Sequence, residues 1–165
     1  REFDRPAVAI IKHNNPCGAA VSGKLVDAFH KAYSGDPLSA FGSVIALNKI
    51  DDIETATALT EPDRFVEAIV APAFQDEAVH LLTTRPTWKN SVRLLEVGDL
   101  THQADQRGQT PMLRSIEGGL LLQSPDVGAS GWDKRTVVTE KSPTESQLAD
   151  LFFGWILVKH VRSNA

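Results

Sequence analysis

Three apolar runs of strand length constrain this chain more than any other feature. They are Ala7-Val8-Ala9-Ile10-Ile11, Ser43-Val44-Ile45-Ala46-Leu47 and Val66-Glu67-Ala68-Ile69-Val70-Ala71. Between them lie stretches with helical spacing. Residues 24–33 place Leu25, Ala28, Phe29 and Ala32 on one helical face, and residues 52–60 carry a shorter helical signal. Nearly unbroken runs of this kind suit strands covered on both faces, as in parallel sheets. Strand and helix signals in alternation predict an α/β layered fold, with helices on both sides of the sheet. A helix over Asp76–Leu82 and a strand over Val92–Val97 continue the pattern.

Beyond residue 98 the signals change. The polar stretch 99–111 reads as a loop, and Leu113–Gln123 as an extended pair interrupted at Gly118-Gly119. Ser142-Pro143-Thr144-Glu145 predicts a helix start with Ser142 as N-cap, Pro143 in the first position and Glu145 closing a capping box. Leu148, Leu151, Phe152 and Trp155 then form an apolar stripe. The 165 residues suffice for about one domain. The opening Arg1-Glu2-Phe3-Asp4-Arg5 and the end Val161-Arg162-Ser163-Asn164-Ala165 read as cuts through a longer protein.

Charge and cysteine content narrow the function. The net charge is −4 and no Lys/Arg stripe occurs, so nucleic acid is not the expected partner. No apolar run approaches the ~20 residues that span a bilayer, so no membrane partner is expected either. A single cysteine, Cys17, leaves no internal disulfide and no second thiol for a His/Cys/Cys zinc deaminase site. Its expected place is a small buried thiol under the Pro16-Cys17-Gly18 turn, and the expected compartment is the cytoplasm.

The residues that could carry chemistry cluster at strand ends. Lys12-His13 sits where the first apolar run stops, followed by the turn chemistry of Asn14-Asn15-Pro16-Cys17-Gly18. Ligands in open parallel sheets bind outside the carboxyl ends of strands. Histidine exchanges protons near neutrality, and a lysine ammonium can stabilise developing negative charge. The plain alternative is a solvated edge pair. Successive strand side chains point to opposite faces, so both can face one pocket only if the chain bends just after Ile11.

Four other features carry two readings each. "GAAVSGK", residues 18–24, matches the start of a phosphate-binding loop, but Leu25 stands where a magnesium-holding hydroxyl is required. Asp36-Pro37-Leu38-Ser39-Ala40-Phe41-Gly42 offers an aromatic face and a bare backbone to a flat ligand, or simply an apolar anchor for the next strand. Glu67, inside an apolar strand, is rim-exposed or paired with a ligand, since burying it alone is costly. Asn164 orients a substrate amide or is an ordinary helix cap.

Together "AIIKHNNPCGAA", "DPLSAFGSVIALN", "FVEAIVAP", "LRSIEGGLLLQ" and "WILVKHVRSNA" resemble, in order and over nearly the whole chain, the formyltransferase half of the bifunctional purine biosynthesis enzyme. That enzyme family combines AICAR formyltransferase with IMP cyclohydrolase. The resemblance implies a zinc-free, cytidine deaminase-like α/β/α lobe over 1–165, with a second lobe beginning near residue 160. It implies formyl transfer from 10-formyltetrahydrofolate to the amine of AICAR, without metal, in a homodimer whose site is shared between lobes. His13 would accept the proton and Lys12 stabilise the transition state, with Asn164 orienting substrate. Phe41, Gly42, Glu67 and Asp36 would bind substrate. Ser43 departs from the glycine often found in the family at that position. Two alternatives remain: a folded but catalytically incomplete piece, and a deaminase-like hydrolase.

Overall fold

In a computed structural model, residues 2–100, 111–126, 128–129 and 131–162 are described. They divide near residue 101 into two compact units. The first unit contains β1 (Ala7–Lys12), β2 (Asn15–Val21), α1 (Leu25–Gly35), β3 (Ser43–Leu47), α2 (Ile53–Leu59), β4 (Val66–Ala71), α3 (Asp76–Thr84) and β5 (Arg93–Glu96). Its five strands form one sheet in the order β2-β1-β3-β4-β5.

The sheet is mixed. β3, β4 and β5 run parallel, whereas β1 is antiparallel to both β2 and β3. The apolar run at 7–11 therefore forms a strand as expected, but not a parallel one. The expected turn at 14–18 is instead mostly strand, and β1 and β2 form a tight hairpin reversing at His13-Asn14. Pro16 and Gly18 mislead the reading because an edge strand tolerates both residues, and β2 is an edge.

Burial alternates along β1 and β3. Val8 and Ile10, then Ser43, Ile45 and Leu47, are buried, while Val44 between them is 37% exposed. The expected full cover on both faces is not met. The buried face joins Leu25, Ala28, Phe29 and Ala32 of α1, Ala56, Ala58 and Leu59 of α2, and Ala78 and Leu82 of α3 in one core. Each large aliphatic side chain sealed there contributes about 1.5–3 kcal/mol. Arg64 ties this layer to the link before β4. Its guanidinium lies 5.0 Å from the Phe29 ring centre and 4.6 Å from that of Tyr33. It pairs with Glu61 at 2.6 Å and donates to the Ala58 carbonyl.

Of the two aspartates before α2, Asp52 is the N-cap and accepts from the Thr55 N–H at 2.8 Å. Asp51 is fully buried, and its carboxylate has no hydrogen-bond partner among the described residues. Its backbone bridges to the strand-like segment at Phe74 through Ala73 and Gln75. Burial, with the Asp52 charge second, pushes the Asp51 carboxyl up to about 7. The folded state thus keeps this proton over a pH range in which the unfolded chain, titrating near 3.8, has lost it. Between those values the native state binds more protons, so the Asp51 contribution makes stability fall as pH rises toward 7 and level off above it. Thermal melts of Asp51→Asn are expected to lose this component. A wild-type-like pH profile in the variant would show that another group is responsible.

The second unit contains β6 (Met112–Ile116) and β7 (Gly119–Gln123), an antiparallel hairpin turning at Glu117-Gly118 with Gly118 at φ +81°. This is the extended pair expected from the sequence. A 3-10 turn spans Trp132–Lys134, and α4 covers Glu145–Val158. The helix begins two residues later than expected. Thr144, not Ser142, is the N-cap, and Gln147, not Glu145, closes the capping box. Both threonine and glutamine satisfy that motif, so the sequence holds two competing starts. Trp132 packs its ring on Phe152 and Trp155, at 5.2 and 6.4 Å between centres, with Arg135 4.5 Å from its own centre on the ring face. No helix among the described residues is long and apolar enough to cross a membrane.

Candidate functional site

Because β1 runs opposite to β3, its carboxyl end lies beside the amino end of β3: Ile11 pairs with Val44. The candidate site therefore forms where the parallel strands begin, not at their carboxyl ends as the general rule suggested. Lys12 is the last residue of β1 and still pairs with Asn15. The bend comes after Lys12 rather than just after Ile11. His13 takes it in left-handed backbone, φ +54°, and is exposed. Such a conformation is uncommon outside glycine, with His, Asn and Asp the enriched exceptions.

The Lys12 ammonium reaches the link before β3. Nζ donates to the Phe41 carbonyl at 2.6 Å and to the Gly42 carbonyl at 3.3 Å. Gly42 has φ +69°, and its N–H donates to the Phe65 carbonyl at 2.8 Å. A Cβ at Gly42 would lie 3.3 Å from the Phe65 ring and 3.4 Å from Lys12 Nζ, so glycine is required there for both backbone conformation and space. Phe41 is largely exposed and tilts against Phe65 with ring centres 5.3 Å apart. Lys12, Phe41 and Gly42 are thus brought together, with His13 next in the chain.

The remaining expected residues are placed differently. Asp36 follows α1, and hydrogen bonds from Ser39, side chain first, hold its carboxyl below the usual range. The Ser39 N–H meets Oδ1 at 3.0 Å, so Asp36 organises the link that ends at Gly42. Glu67 is the extra residue of a bulge in β4, since Ser43 pairs with Val66 and Val44 with Ala68. Bulges re-aim a side chain. Glu67 meets Arg93 of β5 at 3.5 Å, a pairing not read from the sequence. Asn164 lies outside the described residues.

A second bulge places Cys17 as the extra residue of β2. Its thiol faces the Ile10 carbonyl at 3.5 Å, and burial raises its pKa. The thiol is half-buried rather than sealed under a turn. Residues 18–21 lie in β2, so "GAAVSGK" forms no phosphate-cradling loop. Two residues escaped the sequence reading altogether: Phe65, whose only signal is an aromatic just before a strand, and Asp51, whose signal is a doubled acid where one cap suffices. Among the described residues no group of three or more His, Cys, Asp or Glu side chains is arranged to hold a metal.

A mixed α/β unit with a cation, a left-handed glycine and an exposed aromatic at one strand edge defines a candidate small-ligand domain. Comparison with known proteins identifies the family. The AICARFT/IMPCHase bienzyme model matches residues 1–165. The Bifunctional purine biosynthesis protein PurH of Rhodopirellula baltica is 49% identical over 165 residues, covering 100% of this chain and 31% of the relative. Its counterpart in Rippkaea orientalis is 48% identical over 160 residues, covering 97% and 29%. That of Ruegeria sp. strain TM1040 is 46% identical over 162 residues, covering 98% and 29%. The chain belongs to the AICARFT/IMPCHase bienzyme family, and it spans under a third of the length of these curated relatives.

Proposed function

We propose that the chain is part of the formyltransferase half of a bifunctional purine biosynthesis enzyme that also carries IMP cyclohydrolase activity. It transfers the formyl group of 10-formyltetrahydrofolate to the amine of AICAR, giving FAICAR. On this reading residues 1–165 supply the first, zinc-free, deaminase-like α/β/α lobe, and a second lobe begins near residue 160. The parent protein is a cytoplasmic homodimer that needs no metal and has neither nucleic acid nor membrane as a partner.

The observation that carries the reading is the Lys12 ammonium fixed on the Phe41 and Gly42 carbonyls, with His13 the next residue in the chain. The AICAR amine is a poor nucleophile because its lone pair is drawn into the ring and carboxamide. His13 accepts its proton as nitrogen attacks the formyl carbon, a role worth about 10²–10⁴-fold. The C=O becomes a tetrahedral oxyanion, which the Lys12 ammonium stabilises by about 10²–10³-fold. Collapse breaks the bond to the folate nitrogen, and His13 returns the proton to that leaving group. Gly42 and Phe41 contact the nucleotide and folate, Glu67 and Asp36 bind substrate, and Asn164 orients it. Spanning under a third of its relatives' length supports a second reading for the isolated piece: it folds but lacks a complete site.

The test is formyl transfer by the full-length protein, followed as tetrahydrofolate formation from AICAR and 10-formyltetrahydrofolate. Lys12→Ala is expected to lower the rate by about 10²–10³-fold. Purified parent protein without transfer would sink the assignment, and an unimpaired Lys12→Ala variant would sink the role of the lysine.

A further inference from the structure

Lys12 has three N–H donors, and two of them point at carbonyls of an irregular link. Those carbonyls can aim the ammonium only if something fixes them, and neither belongs to a helix or strand. Phe65 meets the requirement from both backbone and ring. Its carbonyl accepts the Gly42 N–H at 2.8 Å, which orients the peptide plane on the amino side of Gly42. Its ring lies against Phe41, and two of its ring carbons sit 3.3 and 3.5 Å from the point a Gly42 Cβ would occupy, next to Lys12 Nζ. Phe65 is in turn anchored: the ring packs on the core, and the following residue, Val66, pairs with Ser43.

We propose that Phe65 is a positioning residue for the Lys12 ammonium, holding the Phe41–Gly42 carbonyls to which that ammonium is tied. The proposal deepens the formyltransferase reading and, for its kinetic consequence, rests on it. Phe65 touches no substrate in this scheme and acts only through Lys12. Leucine in its place keeps the partly buried apolar character but removes the flat ring that supports Phe41 and Gly42.

The experiment uses the full-length protein with Phe65→Leu, Phe65→Tyr, Lys12→Ala and the double variant Lys12→Ala/Phe65→Leu. Phe65→Leu is expected to lower kcat about tenfold, as displacement of a positioned group does, with the KM for AICAR changed less than about twofold. Phe65→Tyr restores the rate. In the Lys12→Ala background Phe65→Leu costs nothing further, because two residues acting through one contact are not additive. A second readout is independent of catalysis: the rate of reductive methylation of Lys12, read by peptide mass spectrometry against the exposed Lys24. It is expected to rise about threefold or more in Phe65→Leu as the carbonyl tether loosens. Equal losses in both backgrounds, or Lys12 labelling unchanged by Phe65→Leu, overturns the proposal. A wild-type parent with no formyl transfer overturns the assigned reaction instead, and the labelling then decides the positioning role alone.

Discussion

Formyl transfer by the full-length protein is expected to fall by about 10²–10⁴-fold when His13 is replaced by alanine. The size of the loss follows from the chemistry: without a proton acceptor the attacking amine develops a full positive charge on a nitrogen that holds it poorly. Position adds a complication, because His13 sits at φ +54° and alanine tolerates that backbone less well. His13→Asn separates the two effects. Asparagine is at ease in the left-handed region but cannot relay the proton at neutral pH. Both variants should lose activity while the asparagine form keeps the wild-type melting temperature. Near-normal turnover in His13→Asn would remove histidine from the mechanism and leave it a turn residue.

Gly18→Ala carries the largest structural penalty. Gly18 lies in β2, and a Cβ there would fall deep inside the contact distance of the Ala32 carbonyl oxygen and 3.0 Å from its carbon. Both obstacles are backbone atoms of α1, so no side chain can rotate away. The helix would have to lift off the sheet, carrying the buried Leu25, Ala28, Phe29 and Ala32 with it. Overpacking typically costs about 1–3 kcal/mol, and a backbone-on-backbone clash belongs at the upper end or beyond. For a unit of about 100 residues that lowers the melting midpoint by roughly 10 °C or more. Gly23→Ala, where a Cβ meets nothing within 4 Å, is the control. Equal melting of the two variants in the full-length protein would refute the packing argument.

These residues show what the sequence could and could not reveal. Hydrophobic continuity located β1, β3 and β4, because sealing an apolar run in a sheet needs little information beyond the run itself. Direction was not legible: nothing in Ala7–Ile11 distinguishes a parallel strand from an antiparallel one, so Lys12-His13 lies at the carboxyl end of its strand as expected but beside the amino ends of the parallel strands. Gly18 was read as turn chemistry because a glycine that permits close helix approach and one that permits a turn look alike on paper. Lys12 and His13 stood out for their chemistry at a strand boundary. The tether from Lys12 to Phe41 and Gly42 did not, since it joins positions 29 and 30 residues apart. The left-handed backbone of Gly42 was equally hidden, though the Phe-Gly pair drew attention to the link that Lys12 reaches. Glu67 was expected to be rim-exposed on an edge strand or paired with a ligand; β4 is an interior strand, and the bulge and the Arg93 partner of Glu67 required the register of three strands.

The reversal of β1 has one more consequence, which concerns electrical polarity. Gly35, at the end of α1, lies near Cys17 and Gly18 at the start of β2, the same end of the sheet as Lys12. A helix presents unsatisfied carbonyls and roughly half a negative charge at its carboxyl terminus. The end of α1 thus adds partial negative charge on this side of the sheet, which favours a cation over an anion close to it. On the proposed function, the carboxyl end of α1 offers the phosphate of the nucleotide no free amide donors.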